Sequence, residues 1–132
     1  MNANRAIEQL EMCFNGFIVH PDLPKEIICL IDGTGYEKIF FHQLIHKLTI
    51  LSEHHKHIVQ IKDFERLSYA PEFYSIHLHS NGKFNIRILF SMPEEGIILL
   101  HTFYERGRKR STDYTKQIPI AKKRLSDLMG KE

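Results

Sequence analysis

Three apolar segments packed close together after Pro71 constrain this chain more than any other feature. Phe73 to His79, Phe84 to Ser91 and Gly96 to Tyr104 are separated by Ser80-Asn81-Gly82 and by Pro93-Glu94-Glu95-Gly96. Strands joined by such short, turn-forming links pair antiparallel, because a parallel return needs a crossover of a dozen or more residues. In the middle segment Phe84, Ile86, Ile88 and Phe90 alternate with Asn85, Arg87, Leu89 and Ser91. The spacing predicts a three-stranded meander with Arg87 on one face.

Helical periodicity flanks the meander. Phe40, Leu44, Leu48 and Leu51 recur with no Gly or Pro between Tyr36 and His55, which predicts the long core helix. Ile118, Ala121, Leu125 and Leu128 predict a last helix over Thr115 to Met129, with Pro119 near its start and Gly130 as its stop. Ala3 to Phe14, with Ile7, Leu10 and Phe14, reads as a short amphipathic helix, and the stretch punctuated by Asn15-Gly16 and the Pro21-Asp22-Leu23-Pro24 cluster as a loop or strand edge. Glu26 to Asp32 is a continuous apolar run closed by Gly33-Thr34-Gly35, and it is expected to be the first sheet strand. Ile58 to Pro71 fits either a short helix or an ordered connection.

With 132 residues, the chain can bury one core, so a single domain over 1–132 is expected, with 1–22 an N-terminal extension and 26–129 the core. Its apolar runs fall well short of the roughly 18 residues of a membrane span. Its start lacks the basic-then-apolar layout of a secretory signal, so a cytoplasmic location is expected. Cys13 and Cys29 form no CxxC pair and read as buried thiols of a reducing compartment, on a helix and a strand. Residues 1–73 hold 7 Lys and Arg against 10 Asp and Glu, whereas 74–132 hold 11 against 6. The second half is therefore the expected partner of a polyanion.

The second half also resembles the HigB-like, phage-derived branch of the RelE toxin superfamily. That family's Tyr/Phe-Arg-hydrophobic-hydrophobic strand is matched by Asn85-Ile86-Arg87-Ile88-Leu89-Phe90. Its Leu-Leu-His-Gly-Phe stretch is matched by Leu99-Leu100-His101-Thr102-Phe103. Arg106 and Lys109 follow, and its helix with Ile-x-x-Ala-x-x-Arg-Leu is matched by Ile118-Pro119-Ile120-Ala121-Lys122-Lys123-Arg124-Leu125. The resemblance covers residues 27–129. Two departures stand out: Ile76-His77-Leu78-His79 replaces the family's Glu-Leu-Arg, and Glu105 occupies the first of its paired Lys positions.

The resemblance implies an α+β, RelE-like fold: an antiparallel sheet, helices packed on one side, and an extra N-terminal helix. It implies the toxin of a type II toxin-antitoxin system, a metal-independent endoribonuclease that cuts mRNA on the ribosome without a cofactor. A cognate antitoxin, of helix-turn-helix type, would be its partner. Two alternatives remain open, a non-catalytic binding module of the same fold and a ParE-like gyrase inhibitor.

Cleavage within RNA needs a base for the 2′-hydroxyl proton, cations for the phosphorane charge and an acid for the leaving oxygen. Arg87 is the expected phosphate-gripping group on a basic concave face, since its planar fork of donors suits phosphate oxygens. The plainer alternative for it is an exposed strand arginine paired with Glu105 or Glu94. His77 and His79, two apart on one strand, share a face, and either could exchange protons near pH 7. Tyr104 and Arg106 complete the expected catalytic set, with Tyr104 alternatively an ordinary sheet aromatic. Lys83, Arg108, Lys109 and Arg110 are expected to bind RNA, or else to form a solvated loop or an antitoxin-docking patch.

His101 sits between Leu100 and Phe103, surroundings that favour a hydrogen-bonded core histidine. His42 and His46 share a helix face and His54, His55 and His57 crowd its end. No HExxH motif or four-ligand spacing accompanies them, so no metal site is expected.

Overall fold

The computed structural model describes residues 3–106 and 110–130. They form an α+β fold built on one five-stranded sheet. In chain order the elements are helix α1 (Ala3–Cys13), strand β1 (Ile18–Val19), helices α2 (Leu23–Ile31) and α3 (Glu37–His54), a 3₁₀ turn (His55–Gln60), strands β2 (Phe64–Arg66), β3 (Tyr74–Ser80), β4 (Phe84–Ser91) and β5 (Ile98–Tyr104), and helix α4 (Arg110–Met129).

The meander forms as its turns dictate, with β3–β4 and β4–β5 antiparallel and β2 antiparallel on β3. The sheet is nevertheless mixed. Ile18–Val19, at the predicted loop or strand edge, pairs parallel with Ile98 and Leu99, giving the order β1-β5-β4-β3-β2.

Glu26 to Asp32 is not the first strand: Glu26 to Ile31 belongs to α2, and Asp32 caps its end. A strictly apolar run has no readable period, but Leu23 and Pro24 before it supply one. Leu23, Ile27, Ile28 and Ile31 are buried at helical spacing while Lys25 and Cys29 face outward, and Pro24 occupies the first turn, where a missing N–H costs nothing. Gly33 and Gly35, both at positive φ, end the helix and turn the chain into α3. Cys29 is thus an exposed thiol on a helix, and Cys13 is half-buried.

Helices cover both faces of the sheet, not one. Leu10 of α1, Ile27 of α2 and Phe40, Leu44 and Leu48 of α3 pack with Ile76, Leu78, Ile86, Ile88 and Phe90 on the first face. On the second, Tyr114, Ile118 and Ala121 of α4 cover Phe73, Leu89, Leu100 and Phe103. Helix α4 begins at Arg110, before the predicted Thr115, so Pro119 lies inside the helix, on its exposed side. No helix among the described residues is long and apolar enough to cross a membrane.

A candidate proton-transfer and metal-ligating site

One residue of irregularity in β5 determines what faces α4. The β4–β5 register shifts between Leu89 and Phe90, so Leu89 opposes His101 and Phe90 opposes Leu99. Before this bulge the even residues Ile98 and Leu100 face α4; after it the odd residues His101 and Phe103 do. Glu105 thereby arrives on the same face as Arg87, whose cross-strand neighbours are His77 and Phe103. Two residues further along, His79 opposes Asn85. A polar end of the sheet results, beside the apolar part that α4 covers.

Arg87 is buried there, with 6% of its side chain exposed. Its Nε donates to the equally buried Glu105 carboxylate, and its guanidinium lies 3.6 Å from Glu65 Oε1. Arg87 is therefore a buried cation whose charge is balanced by the buried Glu105 and the partly exposed Glu65. Charge alone does not decide a strand residue's accessibility, and the residue that decides it here, Glu105, faces Arg87 through a bulge. The Tyr114 hydroxyl lies 3.0 Å from both Glu65 Oε1 and Ser75 Oγ, and burial pushes this phenol up to about 12.

His77 and His79 stack face to face, ring centres 4.1 Å apart. Asp63, just before β2, addresses both. Its Oδ1 is 2.9 Å from His79 Nε2 and 3.8 Å from His77 Nδ1, while its Oδ2 accepts a 2.6 Å bond from Lys47 Nζ of α3. Asp63 holds φ at +74°, a left-handed conformation that Asp tolerates better than most residues. Burial pushes its carboxyl up, but the hydrogen bonds from Lys47 and His79, with the Lys47 charge, outweigh burial and hold it below the usual range.

The tautomer of His77 follows from its neighbours. Asn85 Nδ2 donates to the Glu105 carbonyl, so Asn85 Oδ1 faces His77 Nε2 as an acceptor and that nitrogen carries the hydrogen. Burial, reinforced by the Arg87 charge, lowers the His77 pKa and so favours the neutral ring. His77 Nδ1 therefore presents a lone pair toward Asp63 Oδ1 at a distance too long for a hydrogen bond. His79 is the accessible member, with 39% of its side chain exposed. Gln43 of α3 fixes its backbone, donating to the His79 carbonyl at 2.9 Å and accepting from its N–H at 2.8 Å.

Tyr104 and Arg106 do not join this set. Tyr104 opposes Ile86, on the sheet face away from Arg87, and is exposed at the strand end with the Arg106 guanidinium 6.0 Å from its ring centre. Lys83 is exposed in the β3–β4 turn, 5.9 Å from the Tyr36 ring. Arg108 and Lys109 lie outside the described residues, and of Arg110 only the backbone, at the first position of α4, is described.

Sequence reasoning missed Asp63, Lys47, Asn85 and Glu65. The first two precede the meander and approach it only in three dimensions; the last two are ordinary polar residues of strands. Among the described residues, Asp63, His77 and His79 are the one group of three ligand-type side chains close enough to hold a metal ion. His42, His46, His54, His55 and His57 belong to no such group. A concavity of about 590 Å³ lies elsewhere, between α1 and α3, lined by Met12, Phe17, Phe41, Ile45 and Leu48. Gln9, Asn15, Thr49 and Ser52 share its mostly apolar wall, and it holds none of the chemistry above.

No family model, curated protein or solved structure matches this chain.

Proposed function

We propose that this chain is a RelE/HigB-like toxin, an endoribonuclease that cuts messenger RNA on the ribosome in the cytoplasm and is silenced by an antitoxin of helix-turn-helix type. The observation that carries the reading is the accessible His79, oriented by Asp63 at the polar end of the sheet. With Asp63 accepting from Nε2–H, neutral His79 presents an unprotonated Nδ1, the form required of a general base. In this mechanism His79 Nδ1 takes the 2′-hydroxyl proton, the 2′-oxygen attacks the adjacent phosphorus, and the 5′-oxygen leaves and takes a proton from solvent. The products are a 2′,3′-cyclic phosphate and a 5′-hydroxyl end. Arg87 acts by holding β3, β4 and Glu105 in place, while the exposed cations Lys83 and Arg106 attract the RNA backbone.

Inducing the chain alone tests this. Growth arrest with shortened transcripts is the expected outcome, and His79→Ala should slow single-turnover cleavage by about 10²-fold or more, as loss of a positioned proton acceptor does. Intact transcripts at confirmed expression would overturn the nuclease and leave a non-catalytic binding module, a reading that the neutralised Arg87 favours. DNA breaks without mRNA cuts would mark a ParE-like gyrase inhibitor instead.

A further inference from the structure

We propose that Asp63, His77 and His79 form a binding site for one zinc-class divalent metal ion. Their ligand atoms all lie within 4.8 Å of one another. Zinc at about 2.0–2.2 Å from nitrogen and oxygen donors in a tetrahedral arrangement sets neighbouring donors about 3.3 Å apart. The separations of 2.9 Å (Asp63 Oδ1 to His79 Nε2) and 3.8 Å (Asp63 Oδ1 to His77 Nδ1) bracket that value. Two imidazoles with one carboxylate suit zinc and its transition-metal neighbours, whereas magnesium and calcium prefer oxygen alone.

The surroundings supply the support that a metal site needs. His77 Nε2–H is held by Asn85 Oδ1, which leaves Nδ1 as the donor, and Asn85 is itself held by the Glu105 carbonyl. Lys47 engages Asp63 Oδ2 and leaves Oδ1 facing the histidines. His77 Nδ1 and Asp63 Oδ1 face each other at 3.8 Å, beyond hydrogen-bond distance, and an ion between them would bond to both. The half-exposed His79 leaves the fourth position open to water. On the ribonuclease reading, an ion on His79 Nε2 moves that ring's proton to Nδ1 and so blocks the general base, making zinc an inhibitor.

Titrating the metal-free full-length chain with zinc, followed by calorimetry, and with cobalt, followed by its ligand-field absorption, tests the site with no RNA present. A failed nuclease reading would therefore leave the result standing. One equivalent should bind to the wild type. His79→Gln and Asp63→Asn should each weaken binding more than Asn85→Ala, an orienting partner whose loss should cost about 10- to 100-fold. His42→Ala with His46→Ala should change nothing. Thermal melts by circular dichroism confirm that each variant is folded, and the exposed position of His79 makes His79→Gln the safest of them. The site is refuted if the wild type shows no saturable binding at micromolar zinc, if folded His79→Gln binds as the wild type does, or if the His42 and His46 pair carries the binding.

Discussion

Among the described residues, two clusters bring a histidine together with a carboxylate and a cation, and they differ in how fully their polar atoms are used. In the first, Arg124 of α4 grips both oxygens of Glu26 of α2 at 2.6 Å, donates to the Leu100 carbonyl at 3.0 Å, and lies 3.3 Å from His101 Nδ1. Arginine only donates, so His101 Nδ1 accepts and its Nε2–H goes to Gln117 Oε1. Both ring nitrogens are engaged, and the side chain is 7% exposed. In the second, His77 keeps a lone pair turned toward a carboxylate and His79 is open to solvent. The first cluster ties α2, β5 and α4 together; the second has capacity left for a proton, a phosphate-bearing substrate or an ion.

That contrast breaks most readily at Arg124. Arg124→Ala removes partners from three groups at once and should lower unfolding free energy by about 3 kcal/mol in urea denaturation, near the low end for a broken buried pair because Glu26 is partly exposed. Lys47→Met removes one partner from Asp63, which keeps its bond to His79, so a cost of about 1 kcal/mol is expected. Equal losses in the two variants would dissolve the distinction between a structural and an open cluster.

The smallest expected effect is one of pH. Burial lowers the His101 pKa from 6.5, against the raising influence of Gln117 and Glu26. The unfolded chain therefore binds the proton more readily. His101 contributes stability above pH 6.5, and that contribution falls away as pH drops from 6.5 through the folded value. Denaturation midpoints across this window should decline less in His101→Gln than in the wild type. A wild-type curve no steeper than the variant's would show that the first cluster tolerates the proton.

How far these features were legible in the sequence varies with how local their causes are. The β3–β5 meander and α3 follow from periodicity and turn residues lying within each segment. The core position of His101 is legible because its apolar flanks are its neighbours in the fold. Helix α2 is not legible, because Glu26 to Asp32, taken without Leu23, has no period to distinguish helix from strand. The burial of Arg87 depends on a bulge, and Ile97-Ile98-Leu99-Leu100, apolar at every position, carries no alternation from which the change of phase could be read. Lys47 and Asp63 are distant in sequence from the histidines they serve.

The pair of bonds from Gln43 to the His79 backbone has a consequence for how this chain behaves in a crowd. Strand β2 covers β3 only opposite Tyr74 to Ile76, which leaves the rest of β3 as a sheet border where another molecule's strand could lie down. The His77 N–H is already taken by the Asp63 carbonyl, and the His79 N–H and carbonyl by the Gln43 side chain, an amide that satisfies the border without extending it. A strand arriving there finds those three hydrogen-bonding groups already engaged, which blunts this border against edge-to-edge growth into fibrils.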